Sequence, residues 1–427
     1  MTDALVETHN RAVALRKEER FDEALATIED ALRMGAPRHE TRLMRAHILA
    51  DLGRFDEAVA DYQSLLDDHP EVLDAHQTLS ALLPQIGRAP EVMESYRAAL
   101  VKRPDIGMLW VSAFGTARGH SDWASLLALV HDAEARFGND TMITVYHALA
   151  LSGLNRDVRA RDTLVESVAF EPDYAPARTT LAHVLIRLGD YQAAEAEALR
   201  ATVLTPHDQA AWALLTAIWR VRSDPRETWL ADYNRHVMVM DVHGVDWNAL
   251  GENLTQRHRV IAAPGDQSLR GGTQTRGTLF DSPDPAIVHL ASGIKEAMTG
   301  ALANLPVDTS HPFLSRNSGH IDFSGSWSVR LQSQGFHFSH IHPEGWLSSA
   351  LYVDLPPELG GGCDAGALAF GVPDAALRLV LEPRRVVRPR VGQLVLFPSY
   401  FWHGTLPFES NHDRMTVAFD ALPLSQS

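Results

Sequence analysis

The sequence predicts a multidomain α plus β protein, in which an all-α solenoid of repeated helices precedes an all-β domain of jelly-roll type. Two observations carry this prediction. Prolines recur at a spacing of 34 residues in the first half of the chain, and the apolar pattern changes to strict alternation in the second half. The length of 427 residues also exceeds that of one ordinary domain.

The composition is that of a globular protein without a basic surface. The hydrophobic content is 45%, the charged content 22% and the formal net charge −16. An acidic chain without a long basic run is a poor candidate for nucleic-acid binding. No segment approaches the roughly 20 apolar residues that span a bilayer. We therefore expect no membrane contact, and the polar N-terminus favours a soluble cytoplasmic protein.

The cysteine content limits the metal chemistry. Cys363 is the only cysteine of the chain. An intrachain disulfide is therefore impossible, and zinc sites built from several thiolates are excluded.

The helical repeats are marked by the residues that end each helix. Pro70, Pro104, Pro172 and Pro206 lie on the 34-residue lattice, and Gly138 fills the missing step. A turn and a helix precede these points, as in LGRFDEAVADYQSLLDDHP, IGRAPEVMESYRAALVKRP and LGDYQAAEAEALRATVLTP. The glycine ends one helix, a small residue lets the next helix approach closely, and the proline stops that helix.

This spacing and pattern resemble the tetratricopeptide repeat (TPR) family. The likeness covers residues 1–222 as about six repeats, although the fourth, around residues 119–138, lacks the proline and the usual aromatic positions. The resemblance implies a concave face that binds a peptide or protein segment. The alternative is that the array only assembles the protein, for example as a homo-oligomer, or shields the other half.

Residues 223–258 are predicted to connect the two halves. We expect a short strand around 237–242 and an amphipathic helix over 246–257. Together with a second helix over 284–303, this helix is expected to flank a sheet from the outside.

The β-domain is predicted over residues 259–427. Its strands are expected to alternate between buried and exposed side chains, with turn residues between them. Eight short strands of this kind are typical of a closed or two-sheet jelly-roll structure. The predicted strands cover residues 327–332, 336–342, 346–355, 367–370, 385–389, 393–398, 403–408 and 415–422.

Histidines in two of these strands predict a metal site. His340 and His342 are two residues apart in one strand, so their side chains share a face, whereas His337 is expected on the opposite face. A third ligand must come from elsewhere, and His403 is the best candidate. Imidazole ligands without thiolate suit iron, zinc, copper or nickel.

Arg414 favours iron among these metals. A strand-borne arginine offers two parallel hydrogen bonds to a carboxylate. A metal with open positions and an arginine about one co-substrate length away form the layout for 2-oxoglutarate. We expect the keto acid end of that molecule to bind the metal and its far carboxylate to bind Arg414.

These residues give the second half of the chain a resemblance to a known family. Residues 260–422 resemble the 2-oxoglutarate/Fe(II) oxygenases of the double-stranded β-helix superfamily. The resemblance is carried by GGTQTRGTLF, SWSVRL, HIHPEGWLSSALYV, GQLVLFPSYFWHGTLP and NHDRMTVAFD. It implies Fe(II) as the metal, 2-oxoglutarate and O2 as co-substrates, and hydroxylation of a C–H bond as the reaction.

The first histidine motif departs from that family. The usual motif is His-x-Asp or His-x-Glu, whereas this chain has His340-Ile341-His342. Three neutral histidines leave the site one negative charge short. His342 is expected to be a ligand. The alternative places it outside the ligand set, with water, Glu344 or nothing in the third position.

Further residues are candidates for contacts inside the pocket. Tyr352 and Thr416 are expected to help hold the co-substrate, because their strands lead into the same interior. Arg330, Trp346 and Glu344 are candidates for substrate binding. For each of the five, ordinary packing or a surface ion pair is the competing interpretation.

The sequence thus favours an oxygenase that hydroxylates a peptide or protein recruited by the repeats. Three alternatives stay open. In the first, the substrate is a free amino acid or small metabolite and the repeats serve assembly only. In the second, the chain is a non-catalytic repeat scaffold with a degenerate barrel. In the third, the site is that of a three-histidine dioxygenase that needs no co-substrate.

Overall fold

The computed structural model describes residues 3–34, 38–138, 140–360 and 362–424, and the first half of this part is helical. None of the helices that it contains has the length and apolar character required to cross a membrane. The helices of the N-terminal half are α1 (Asp3–Lys17), α2 (Phe21–Arg33), α3 (His39–Asp51), α4 (Phe55–Asp68), α5 (Leu73–Gln85), α6 (Glu94–Lys102), α7 (Gly107–Gly119), α8 (Trp123–Phe137), α9 (Thr141–Gly153), α10 (Asp157–Phe170), α11 (Ala175–Leu188), α12 (Tyr191–Leu204) and α13 (Gln209–Val221).

A left-handed turn recurs along these helices with the period of the repeat. In the described residues, each turn follows the first helix of a pair and contains one residue with φ between +54° and +81°. Asn tolerates this backbone region better than most residues do, and Gly adopts it without strain. The fourth repeat keeps the turn, at Ser121, although its sequence departs from the pattern. The seven turn residues are Glu19, Gly53, Gly87, Ser121, Asn155, Gly189 and Ser223.

Small and aromatic residues of the second helices pack against their neighbours as the sequence predicts. Tyr62 and Tyr96 are fully buried. Ala58, Ala99 and Ala198 are exposed by 2% or less, so the helices approach closely at these positions. The predicted solenoid of helical repeats is confirmed.

The described chain forms two compact units, and both draw on each half of the sequence. The first consists of residues 1–121, 257–267 and 273–288. The second consists of residues 122–256, 268–272 and 289–427. The domain limits predicted at residues 222 and 258 stay predictions.

Within the first unit, the segment Arg257–Gln267 contacts successive repeat turns. Arg259 Nη1 donates to the carbonyl oxygen of Asp51 at 2.8 Å. The backbone N–H of Ile261 donates to the carbonyl oxygen of Gln85 at 3.0 Å. Asp51 and Gln85 each end the first helix of a pair. A segment that follows the repeats in sequence is therefore part of the repeat structure.

Within the second unit, the last repeat helices bind loops of the β-domain. The indole N–H of Trp402 donates to the carbonyl oxygen of Ala213 in α13 at 2.9 Å. From the same helix, Arg220 donates to the carbonyl oxygen of Gly371 at 2.6 Å. Arg187, in α11, donates to Ala376 O at 2.8 Å. The two arginines satisfy loop carbonyls that would otherwise need water or another partner, and Ala213 accepts the indole N–H of a loop tryptophan.

The remaining elements form an antiparallel sheet with flanking helices. Its strand order within the described residues is β1-β7-β4-β9-β3-β8-β5-β6, and β2 pairs with β3. The elements are α14 (Arg226–Leu230), α15 (Tyr233–His236), β1 (Met238–Asp241), α16 (Trp247–Arg257), β2 (Leu269–Gln274), α17 (Pro285–Ala303), β3 (Ile321–His340), β4 (Leu347–Asp354), β5 (Leu368–Phe370), β6 (Arg385–Val387), β7 (Gln393–Pro398), β8 (His403–Thr405) and β9 (Arg414–Pro423).

The long strand β3 explains how the sheet closes on itself. Its first part, to Leu331, pairs with β9, and its last part, from His337, pairs with β8. Between these parts Gln334 has φ +63°, so the backbone turns sharply there. The two strands predicted at 327–332 and 336–342 are thus one bent strand. The predicted jelly-roll fold is confirmed, and β2 is a strand that the sequence analysis did not predict.

The turn after α11 gives a test of the repeat backbone. Gly189 has φ +81° and open space where a Cβ would lie, so Gly189→Ala introduces backbone strain without a steric clash. We expect a loss of about 1 kcal/mol in the free energy of unfolding, measured by circular dichroism in urea. Gly300→Ala is the matched control, because Gly300 lies inside α17 with the same open space. That change should be neutral or stabilise by roughly 0.5–1 kcal/mol. Equal stability of both variants would contradict a left-handed turn at Gly189.

Candidate metal centre

Three histidines from two strands and a loop meet at one end of the jelly-roll. His340 ends β3, His342 follows it in the next loop, and His403 begins β8. One ring nitrogen from each lies within 4.8 Å of the others. The Nε2 atoms of His340 and His342 are 3.2 Å apart. β3 and β8 are paired with His340 opposite His403, which places the two side chains side by side.

Each of the three rings is held through its other nitrogen. His340 Nδ1 donates to the carbonyl oxygen of Phe338 at 2.9 Å, and His403 Nδ1 donates to that of Phe401 at 2.9 Å. His342 Nδ1 donates to Asp420 Oδ2 at 2.7 Å. Carbonyl and carboxylate oxygens only accept hydrogen bonds, so the proton lies on Nδ1 and Nε2 is left for a metal.

The carboxylate of Asp420 is itself held on both oxygens. Its Oδ1 accepts a hydrogen bond from Ser348 Oγ at 2.7 Å. Ser348 Oγ also lies 2.9 Å from Ser399 Oγ. The backbone N–H of His342 donates to the carbonyl oxygen of Ser399 at 3.0 Å. The ring and the backbone of His342 are therefore tied to three neighbouring elements.

The surroundings keep two of the imidazoles, those of His340 and His403, neutral. Burial, followed by the neighbouring imidazole of His342, lowers the pKa of His340 to about 3. Burial also lowers the pKa of His403 well below its usual range, and the two other site histidines add to this effect. Neutral rings at pH 7 are the form that binds a metal. Aromatic rings line the site, with Phe397 4.5 Å from His403 and Trp327 5.9 Å from His342 between ring centroids.

His337 lies on the same side as His340, contrary to the prediction. Between these residues the register of β3 against β8 shifts, so that two residues of β3, Phe338 and Ser339, face the single residue Gly404 of β8. Such a bulge reverses the alternation of side chains. The rings of His337 and His340 stack at 5.9 Å, and Ser268 Oγ lies 3.0 Å from His337 Nδ1 and 3.2 Å from His340 Nε2.

Arg414 is a buried cation. Its side chain is 2% exposed, and among the described residues its Nε has no hydrogen-bond partner and no carboxylate forms an ion pair with it. Its guanidinium carbon lies 5.0 Å from the ring centre of Tyr352. Burial lowers the pKa of Arg414 and raises that of Tyr352. The guanidinium also contributes, after burial and His340, to the lowered pKa of His337, so Arg414 lies near that histidine.

Tyr352 and Thr416 accompany Arg414 on adjacent strands. Thr416 lies two residues beyond Arg414 on β9 and pairs with Tyr352 of β4. In the part of the chain that the structure describes, the Tyr352 hydroxyl has no hydrogen-bond partner. Unpaired buried polar groups are costly, so this pocket is suited to a polar ligand.

The three candidates for substrate binding lie in different surroundings. Arg330 is paired with Asp413, with Nη2 2.5 Å from Oδ2. Trp346 is 1% exposed and donates its indole N–H to the carbonyl oxygen of Phe313 at 3.0 Å, as a core residue does. Glu344 is exposed in the turn after His342 and is outside the histidine cluster. Their roles in substrate binding stay predictions.

The sequence analysis missed Asp420 and Ser268. A signal for Asp420 was present, because Arg414, Thr416 and Asp420 are separated by even numbers and share one face of β9. No comparable signal marks Ser268, which precedes a strand that was not predicted.

The site fits a divalent metal with an anionic ligand beside it. Three imidazoles converge, and the guanidinium of Arg414 can bind a carboxylate through two hydrogen bonds.

Protein-family models match both halves of the chain. The model described as "Putative 2OG-Fe(II) oxygenase" matches residues 325–420. Models described as tetratricopeptide repeat match residues 9–71, 43–105 and 158–218. The region between the last two matches contains the fourth repeat, whose sequence departs from the pattern. No curated protein matches the chain significantly.

Solved structures resemble parts of the chain at low identity. A TPR protein from Parabacteroides merdae is 12% identical, with 52% of this chain and 88% of that chain covered and a TM-score of 0.39. PilF from Pseudomonas aeruginosa is 14% identical, with 45% of this chain and 87% of that chain covered and a TM-score of 0.32. An oxidoreductase of the 2OG-Fe(II) oxygenase family from Burkholderia pseudomallei is 14% identical, with 25% of this chain and 46% of that chain covered and a TM-score of 0.19. TM-scores of this size support no inference about function.

Together, the family models confirm the resemblance predicted from the sequence. The chain carries tetratricopeptide repeats in its N-terminal half and a 2OG-Fe(II) oxygenase family domain in its C-terminal part.

Proposed function

We propose that the protein is an Fe(II)- and 2-oxoglutarate-dependent oxygenase that hydroxylates a C–H bond of a peptide or protein substrate. One observation carries the proposal: three imidazoles converge, and a buried arginine near His337, whose ring stacks on that of His340, has no anionic partner among the described residues. The first feature suits a divalent metal, and the second suits a carboxylate. The family match to residues 325–420 supports this assignment.

In this proposal His340, His342 and His403 hold the iron. Their Nδ1 hydrogen bonds orient the rings before the metal arrives, which lowers the cost of ordering them on binding. Fe(II) with 2-oxoglutarate and O2 supplies the oxidising chemistry when bound. The chain contributes orientation, and the aromatic rings of Trp327 and Phe397 limit the access of water.

Arg414 binds the distal carboxylate of 2-oxoglutarate. A buried guanidinium without a partner pays the cost of desolvation in the free protein, and a carboxylate recovers part of that cost. The ring of Tyr352 lies beside it, and Thr416 pairs with Tyr352 on the adjacent strand, so we propose their hydroxyls as further donors to the same carboxylate. Arg330 is less suited to this role, because Asp413 already neutralises it.

The repeats are proposed to bring the substrate to this site. TPR arrays generally bind peptides or protein segments. The later repeat helices belong to the same compact unit as the histidines, and α13 contacts Trp402, the residue before His403. A peptide held by these helices would therefore have a fixed position relative to the site.

Loss of one histidine ligand should abolish metal binding. We expect His403→Ala to weaken Fe(II) binding by more than about 100-fold, because a ligand matters more than the outer-sphere groups that cost 10–100-fold. Anaerobic titration of the full chain with Fe(II) measures this. His412→Ala is the control, since that exposed histidine lies outside the cluster. Equal losses in both variants would contradict the assignment of His403.

Removal of the buried cation should raise the requirement for 2-oxoglutarate. A charge-assisted hydrogen bond contributes about 1.5–3 kcal/mol. At 1.4 kcal/mol for each factor of ten, Arg414→Gln should raise the KM for 2-oxoglutarate by about 10–100-fold. The measurement is the formation of succinate at varied 2-oxoglutarate concentration. The thermal stability of the free protein should not fall, because an uncompensated buried charge is removed.

Arg388→Gln serves as the control for Arg414. Arg388 is an exposed arginine that pairs with Asp364 at 2.9 Å, so its loss should leave the KM unchanged. Metal-dependent activity that is indifferent to Arg414→Gln would favour a three-histidine dioxygenase without a co-substrate. The observation that favours this second candidate function is the histidine at position 342, where a carboxylate is usual.

The substrate class can be tested without knowing the substrate. Incubation of proteins from a cell lysate with the full chain, Fe(II) and 2-oxoglutarate should give peptides that are heavier by one oxygen atom, detected by mass spectrometry. The His403→Ala protein should give none. Succinate formation driven only by the small-molecule fraction of the lysate would instead favour a free metabolite as substrate. Wild-type protein that forms no succinate with either fraction would favour a non-catalytic scaffold.

A further inference from the structure

The histidine motif leaves the site without a direct carboxylate ligand, but a carboxylate lies one hydrogen bond away. His342 occupies the position where the usual motif of the double-stranded β-helix superfamily has aspartate or glutamate. Its Nδ1 is 2.7 Å from Asp420 Oδ2. We propose that Asp420 is a positioning residue that supplies, through His342, the negative charge that the motif itself lacks. This inference rests on the proposed function.

The carboxylate is oriented for this task. Asp420 lies on β9, and its backbone pairs with that of Ser348 on β4. The Ser348 hydroxyl donates to Oδ1 at 2.7 Å, which leaves Oδ2 directed at the imidazole. Both oxygens therefore have defined partners, so the ring of His342 is fixed by strands that also form the centre of the sheet.

The charge of Asp420 is not cancelled by another group. Within the described ranges no lysine or arginine forms an ion pair with it, and its ionic contact is with His342. Both side chains are 17% exposed, so solvent screens the pair only in part. A carboxylate that accepts the N–H of a ligand histidine makes that histidine a stronger donor to the metal.

His342 differs in this respect from the other two histidines. The N–H groups of His340 and His403 are donated to neutral backbone carbonyls, those of Phe338 and Phe401. Only His342, among the three, is joined to an anion. The pair of His342 and Asp420 therefore takes the place that a single carboxylate has in the usual motif.

This arrangement makes positions 342 and 420 dependent on each other. A carboxylate introduced at 342 would lie beside the carboxylate of Asp420, and two like charges at this distance repel. With His342 in place, the charge of Asp420 should strengthen metal binding. With aspartate at position 342, the same charge should repel the ligand carboxylate and weaken metal binding.

A double-mutant cycle tests the proposal. The affinity of the full chain for Co(II) is measured by anaerobic titration and by the visible absorption of the bound ion. Asp420→Asn keeps the shape of the side chain and removes its charge, and we expect it to weaken Co(II) binding by about 10–100-fold. In a His342→Asp background we expect Asp420→Asn to strengthen binding instead. This reversal of sign is the expected result.

A merely structural role for Asp420 predicts a different outcome. If the residue only holds β9 against β4, Asp420→Asn should weaken binding in both backgrounds, and that result would overturn the proposal. Unchanged affinity of Asp420→Asn in the wild-type background would overturn it as well. Wild-type protein that binds no Co(II) would overturn the proposed function itself, and the inference with it.

Ser348→Ala separates the charge from the hydrogen-bond network. This variant removes the donor to Oδ1 and keeps the carboxylate. It should lose clearly less Co(II) affinity than Asp420→Asn, and circular dichroism of the metal-free proteins establishes that all variants are folded. A loss as large as that of Asp420→Asn would show that the network, and not the charge, controls the metal, and would contradict the proposal.

Discussion

The candidate metal centre depends on how each imidazole is held at Nδ1. Two acceptors are backbone carbonyls, of Phe338 and Phe401, and the third is the side chain of Asp420. Backbone carbonyls cannot turn without moving the strand or loop that carries them. The orientation of the rings therefore follows from strand pairing, and the jelly-roll brings together three histidines that are up to 63 residues apart in sequence.

The parts of this protein that could be predicted from sequence are those with a local signal. The 34-residue period gave the repeats, since helix ends and buried alanines recur within each repeat. Alternating apolar residues gave most strands. His340 and His342 could be assigned to one site because they are two residues apart, and His403 because an apolar strand and a turn precede it. The structure brings all three together.

The parts that could not be predicted depend on pairing between distant segments. The bulge that turns His337 toward His340 is visible only in the register of β3 against β8. β2 lies in a segment rich in glycine, threonine and glutamine, which gives little apolar alternation. The contact between Asp420 and His342 spans 78 positions. Even spacing from Arg414 places Asp420 on the same face of β9, but this spacing does not identify His342 as its hydrogen-bond partner.

The indole of Trp402 has a consequence for the evolutionary history of the chain. It joins the ligand-bearing turn of the barrel to α13, and Arg187 and Arg220 make similar bonds from the repeats to the loops at Gly371 and Ala376. A barrel transferred alone, by recombination at the end of the helical repeats, would expose the indole N–H of Trp402 and the carbonyl oxygens of Gly371 and Ala376 to water. The last repeats and the barrel are therefore better regarded as a single heritable cassette.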